Sequence, residues 1–149
     1  MAGYIKYMSI PDCVFCNILA GRLPSSRVYQ DEICTAFLDI QPVNPGHVLI
    51  IPNQHAAYLA DIDAEAAGHL FQVARLVAAA LRQCGVRCEG INMFLADGEA
   101  AMQDVFHVHL HVFPRYQGDG FGLTFGPSYF TKPPRSALDT IAAQIRAVL

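Results

Sequence analysis

The chain has no apolar run near the roughly 20 residues that a membrane-spanning helix requires, and no run of basic residues. The first absence argues against a membrane span. The second, with ten Lys and Arg against thirteen Asp and Glu and a formal net charge of −3, argues against a general nucleic-acid binder, which carries a basic face. The opening residues 1–8 have neither a long apolar stretch nor a small-residue cleavage site, so a secretory signal is not expected and a cytoplasmic location follows. An even set of cysteines is also missing. Five of them (Cys13, Cys16, Cys34, Cys84 and Cys88) in a chain without an export signal do not suggest a disulfide framework. Internal repeats are absent as well. A length of 149 residues suits one domain, 1–149, with 1–10 as a loose N-terminal extension and 118–149 as a C-terminal connection and helix.

What is present is a clear succession of elements. Cys13 to Ala20 reads as a short helix closed by Gly21 and Pro24. Val28 to Gln30 and Ile33 to Leu38 flank a turn at Asp31-Glu32 and read as a hairpin, with His47 to Pro52 as the next strand. Asp63 is placed to cap the longest helix, whose stripe Leu70, Val73, Ala74, Val77, Ala78 and Leu81 ends before Gly85. Gly90 to Leu95 and Phe106 to Pro114 supply two more strands. Ser136 to Asp139 resembles a capping box, followed by Leu138, Ile141, Ala142, Ile145 and Val148 at helical spacing. The connection 118–134, rich in Gly, Pro and aromatics, has no period. The order predicts an α+β domain on an antiparallel sheet.

One stretch carries most of the chemistry. In Phe106-His107-Val108-His109-Leu110-His111-Val112-Phe113 a histidine stands at every second position. An extended strand sends alternate side chains to opposite faces, so the three imidazoles line one surface while Val108, Leu110 and Val112 enter the core. Near neutral pH an imidazole serves as nucleophile, acid, base or metal ligand, so the row points to phosphoryl or acyl chemistry, or to a metal. Cys13 and Cys16 have the spacing that lets two thiolates share an ion across a helical turn, but two ligands do not close a site. The same spacing is open to a redox pair or to two free thiols packed in the core.

The row follows Gln103-Asp104-Val105 and precedes Pro114-Arg115-Tyr116, and the chain also carries Ala36 to Pro42 and Pro45 to His55 in order. On these segments it resembles the histidine triad (HIT) family, in its bacterial Hint-like and Fhit-like branch. The resemblance implies a HIT-like fold: a five-stranded antiparallel sheet with one long helix and short terminal helices, usually paired as a homodimer. It implies a nucleotide hydrolase or transferase acting at the α-phosphorus of AMP-linked phosphoramidates or esters, through a nucleotidyl-histidine intermediate. A dinucleoside polyphosphate hydrolase is the alternative within the family; a zinc-stabilised nucleotide-binding or scaffold protein with little turnover is the alternative outside it.

The site residues follow from the same resemblance. His109 would be the nucleophile and His111 would contact the phosphoryl oxygens, with Gln103 near the phosphate or bridging atom. A purine nucleotide, AMP or AMP-linked, would lie against Val14, Phe15, Ile18, Phe37 and Ile40, with Asp39 on the ribose and Asn92 at the site's edge. A structural Zn2+ would be held by Cys13, Cys16, His55 and His107. His47 matches a Gly-His pair of the family and reads as a supporting residue. Two positions depart from the pattern: Met102 stands where many members have glycine, and Asp104 where they have a hydroxyl residue. A carboxylate there would repel a phosphate or, if protonated, donate a proton to a leaving group.

Overall fold

A computed structural model describes residues 11–149, so the expected extension 1–10 lies outside the described residues. Two compact units are present, one ending at Asp119 and the other Gly120–Leu149. The first runs α1 (Val14–Leu19), β1 (Arg27–Gln30), β2 (Cys34–Leu38), β3 (Val48–Pro52), α2 (Ala64–Leu81), β4 (Gly90–Leu95) and β5 (Leu110–Arg115). Its five strands form one antiparallel sheet in the order β1-β2-β3-β5-β4, the fold class that the sequence predicts.

Each face of the sheet has its own core. The Asp63 carboxylate accepts from the Ala66 amide and starts α2, as expected of a cap. The stripe Leu70, Val73, Ala74, Val77, Ala78 and Leu81 then packs with Cys34, Ala36, Val48, Ile50, Leu110 and Val112. Full burial of a Leu or Ile side chain contributes about 1.5–3 kcal/mol, so this interleaving is the main source of stability. On the opposite face α1 lays Phe15, Ile18 and Leu19 on Phe37, Leu49 and Ile51. Gly46, at φ +98°, approaches the α2 end so closely that a Cβ there would stand 3.0 Å from Leu81 and 3.3 Å from Val86.

The strand of the histidine row is shorter than the predicted Phe106 to Pro114. It begins at Leu110, after His107 and His109. The ladder from β3 stops because Pro52 has no amide hydrogen, and the Pro52 carbonyl instead accepts from His107 Nε2 at 2.9 Å. The Val108 amide is taken up by the Ala56 carbonyl at 2.8 Å. Alternation survives nonetheless, with Val108, Leu110 and Val112 in the α2 core.

The second unit contains a short 3-10 turn (Pro127–Phe130) and α3 (Arg135–Arg146). The expected capping box at Ser136 does not form. Pro134 is the N-cap, and Ser136 lies inside the helix with its carbonyl accepting from Thr140 Oγ1. A proline leaves no amide unpaired where the helix begins, so α3 starts earlier than the Ser136 signal suggests. Leu138, Ile141 and Ile145 share one exposed face of it.

Candidate functional site

The four expected zinc ligands meet at the start of α1. Cys13, Cys16, His55 and His107 each present a ligand atom, all within 4.8 Å of one another. His107 Nδ1 lies 3.5 Å from Cys13 Sγ and 3.7 Å from Cys16 Sγ, while His55 Nδ1 lies 3.4 Å from Cys16 Sγ. A tetrahedron with zinc–sulfur and zinc–nitrogen bonds of ordinary length has sulfur–nitrogen edges of about 3.6 Å, so the donors fit the ion. The second bonds of the ligands fit as well. His107 Nε2–H donates to the Pro52 carbonyl, which leaves Nδ1 bare towards the sulfurs, and the Cys16 amide points at Cys13 Sγ at 3.4 Å. Burial, with the neighbouring imidazoles, pushes His107 down to about 4, and burial also lowers His55. Both are therefore neutral, the form that binds a metal.

The middle histidine is 2 % exposed and is oriented by its own backbone. His109 Nδ1–H donates to the His107 carbonyl at 2.8 Å, because a carbonyl can only accept. Nε2 is thereby left with its electron pair free. Phe15 from α1 stands edge-on to the His109 ring at 5.2 Å and to His107 at 5.8 Å, so the helix that carries Cys16 also walls the His109 ring.

The third histidine is set by a chain of hydrogen bonds that the sequence did not show. The Val43 amide donates to His47 Nδ1 at 3.0 Å, so the hydrogen of a neutral His47 sits on Nε2. That Nε2 lies 2.9 Å from His111 Nδ1. His111 Nδ1 accepts, and its own hydrogen is held on Nε2. Burial, then the nearby His109 and His47, push His111 down to about 4, and burial lowers His47 against the pull of Asp39. His47 is the supporting residue that its Gly-His setting suggested. Its link to His111 joins positions 64 residues apart, which no local spacing reveals.

The residues expected to face a nucleotide divide. Phe15, Ile18 and Phe37 are buried together, and Val14 at the first turn of α1 is half exposed. Asp39 stands with Oδ2 3.7 Å from His47 Nε2. Ile40 departs from the expected apolar slot and is 99 % exposed. Strand β2 ends at Leu38, and the Gln41 amide bonds back to Asp39 Oδ1, which puts Ile40 at the tip of a turn. Asn92 is opposite Phe113 across β4 and β5, and its Oδ1 accepts from Arg115 at 2.6 Å. Gln103 is held differently from expectation. Its amide donates to the Ala57 and Val105 carbonyls and its oxygen accepts from the Gly98 amide, so in this structure it ties the preceding loop to the row and leaves no hydrogen for a phosphate.

The two departures lie side by side. Met102 has φ 67°, among the described residues the one non-glycine with positive φ, so a residue with a side chain occupies a conformation that favours glycine. Asp104 places Oδ1 3.6 Å from His109 Nε2. A further group went unread in the sequence: Asp31 gathers the Tyr29 hydroxyl, His69 Nε2 and the Ile33 and Cys34 amides. Burial opposes the Asp31 charge, but these hydrogen bonds hold the carboxyl well below the usual range. They tie α2 to the β1–β2 turn.

The profile of the HIT domain matches residues 20–118. The Protein hit of Bacillus subtilis is 44% identical over 112 residues, 74% of this chain and 77% of its own. An adenylylsulfatase of Arabidopsis thaliana, HINT3, is 33% identical over 108 residues, 72% of this chain and 54% of its own. A zinc-bound histidine triad family protein from Mycobacterium smegmatis superimposes with a TM-score of 0.72 at 37% identity, covering 93% of this chain and 98% of that one. A sheet of this order, a histidine row whose first two members lie buried against the first helix and a Cys-Cys-His-His cluster at its start therefore have one source: the chain belongs to the HIT domain family.

Proposed function

We propose that the chain is a nucleotide hydrolase or transferase that acts at the α-phosphorus of AMP-linked substrates through His109. The observation that carries this reading is the tautomer of His109. Its Nδ1–H is fixed on the His107 carbonyl, so the free electron pair of Nε2 needs no proton removed before it attacks. The Nε2 pair forms a bond to phosphorus as the bond to the leaving group breaks, and water then displaces the imidazole to release AMP. His111, whose Nε2 carries hydrogen because Nδ1 faces His47, donates to a phosphoryl oxygen as charge builds there. Asp39 would hold the ribose hydroxyls, and Val14, Phe15, Ile18 and Phe37 the base.

Cys13, Cys16, His55 and His107 would hold Zn2+ in a closed, four-ligand site. When bound, the ion fixes structure and leaves no coordination position for substrate. His107 then stays neutral beside His109, and α1 keeps Phe15 against the nucleophile. The homodimer belongs to the same reading, and sedimentation of the full chain tests it.

The chemistry is tested by intact mass and turnover with adenosine 5′-phosphoramidate, comparing wild type with His109→Ala. A transient gain of one adenylyl group on wild type, absent from the variant, is expected. Unchanged turnover in His109→Ala would remove the nucleophile assignment. AMP binding without turnover would make the protein a zinc-stabilised binding module.

A further inference from the structure

We infer that Asn44 and Asp119 are positioning residues for His111: together they clamp the turn that carries His47 to the end of the histidine strand, and so hold the hydrogen of His111 on Nε2. The consequence for turnover rests on the hydrolase reading above; the state of the ring does not.

Asn44 to His47 is a closed turn. The His47 amide donates to the Asn44 carbonyl at 3.1 Å, and between them stand Pro45 and Gly46, the latter at φ +98°, the pattern of a type II turn. Pro45 stiffens the turn within itself, but something else must set it against β5. The buried Asn44 side chain does so. Its Nδ2 donates to the Pro114 carbonyl at 2.9 Å and to Asp119 Oδ2 at 2.8 Å. Both neighbours can only accept, so the amide has one orientation and both of its hydrogens are committed.

Asp119 is in turn anchored to the strand. Its side chain is 2 % exposed, and Arg115 grips it with two prongs, Nε to Oδ2 at 2.6 Å and Nη2 to Oδ1 at 2.8 Å. A forked pair of this kind is fixed in direction as well as distance. Arg115 is the last residue of β5 and alternates with His111 and Phe113 along it. The strand that carries His111 therefore also carries the anchor of the turn that orients it.

What the clamp holds in place is one hydrogen bond. Val43 precedes Asn44, and its amide reaches His47 Nδ1 at 3.0 Å. That contact puts the hydrogen of a neutral His47 on Nε2, 2.9 Å from His111 Nδ1. With Val43 displaced, His47 can carry its hydrogen on either nitrogen. His111 is then free to place its own on Nδ1, towards His47, which leaves Nε2 bare and unable to donate to a phosphoryl oxygen.

The experiment records proton–nitrogen correlation spectra of the histidine rings near neutral pH, beside kcat and KM for adenosine 5′-phosphoramidate, on the full chain as wild type, Asn44→Ala and Asp119→Asn. Asn44→Ala removes both donor bonds, whereas Asp119→Asn keeps an oxygen towards Asn44 and is the milder change for folding. In wild type the two His111 nitrogens should give the widely separated shifts of a single Nε2–H tautomer, and in both variants those shifts should converge. The kcat should fall about threefold with KM unchanged, and Asn44→Ala should cost nothing further in a His47→Ala background, because Asn44 acts through His47. Wild-type His111 shifts in either folded variant would overturn the inference. So would a wild type whose two His111 shifts already lie together, or an undiminished loss when Asn44→Ala is added to His47→Ala. Shifts that converge as expected in a protein with no turnover, wild type included, would uphold the clamp and remove the hydrolase reading.

Discussion

Replacing His47 with alanine breaks a hydrogen-bonded chain in two places at once. His47 is 3 % exposed, receives the Val43 amide at 3.0 Å and meets His111 Nδ1 at 2.9 Å, with its ring 4.9 Å from that of Phe113. His47→Ala leaves the Val43 amide and His111 Nδ1 without partners, each worth about 1–3 kcal/mol when buried, and opens a cavity against Phe113. His111 reaches the half-open side of the site, so water entering the cavity offsets part of this, and a net loss of about 3 kcal/mol follows. At this chain length that is about 9 °C in Tm. Turnover should fall about tenfold in kcat with little change in KM, because nothing then fixes the hydrogen of His111 on Nε2. His47→Gln, which can both accept from Val43 and donate to His111, should recover most of the loss. Urea unfolding followed by circular dichroism, beside steady-state kinetics, reads both effects. A stability change below about 1 kcal/mol together with unchanged kcat would refute the hydrogen-bonded chain as the device that positions His111.

Metal analysis of the purified protein should find about one Zn2+ per chain, and Cys16→Ala should lose it and melt at lower temperature; full retention by the variant would argue against the four-ligand site. Stability should fall between pH 7 and pH 5. His111 is pushed down to about 4 by burial and by His109 and His47, so below 6.5 the unfolded chain takes up a proton that the native site refuses, and the stability present above that pH is lost as pH drops. The part due to His111 is about 1–2 kcal/mol at pH 5, and urea midpoints that do not move would contradict it. Met102→Gly should stabilise by about 1 kcal/mol, since it relieves a left-handed residue at φ 67° that is 77 % exposed and loses little packing; a lower melting temperature would show that the Met102 side chain holds the loop.

Local chemistry was legible before the fold was known. The α2 stripe, the Asp63 cap and the bounds of β4 follow from periodicity and capping, which depend on neighbours in sequence. The alternation of the histidine row likewise sent Val108, Leu110 and Val112 to one side in advance. Short-range signals failed where a distant group intervened. Pro52, 55 residues from His107, ends the ladder early; the role that the family resemblance implied for Gln103 likewise gave no sign that its amide donates to the Ala57 carbonyl.

The sequence by itself determined which elements form, which side chains offer nucleophilic, acid–base or metal-binding groups and, through the ordered segments of the family, which four residues are candidates for one ion. Only the tertiary structure decided the protons. The His107 carbonyl selects the tautomer of His109, Val43 and His47 select that of His111, and Asp104 comes to rest 3.6 Å from His109 Nε2. A tautomer depends on which acceptor or donor lies within about 3 Å: for His111 that is fixed by the packing of His47, 64 residues away, and for His109 by the backbone path of the row itself.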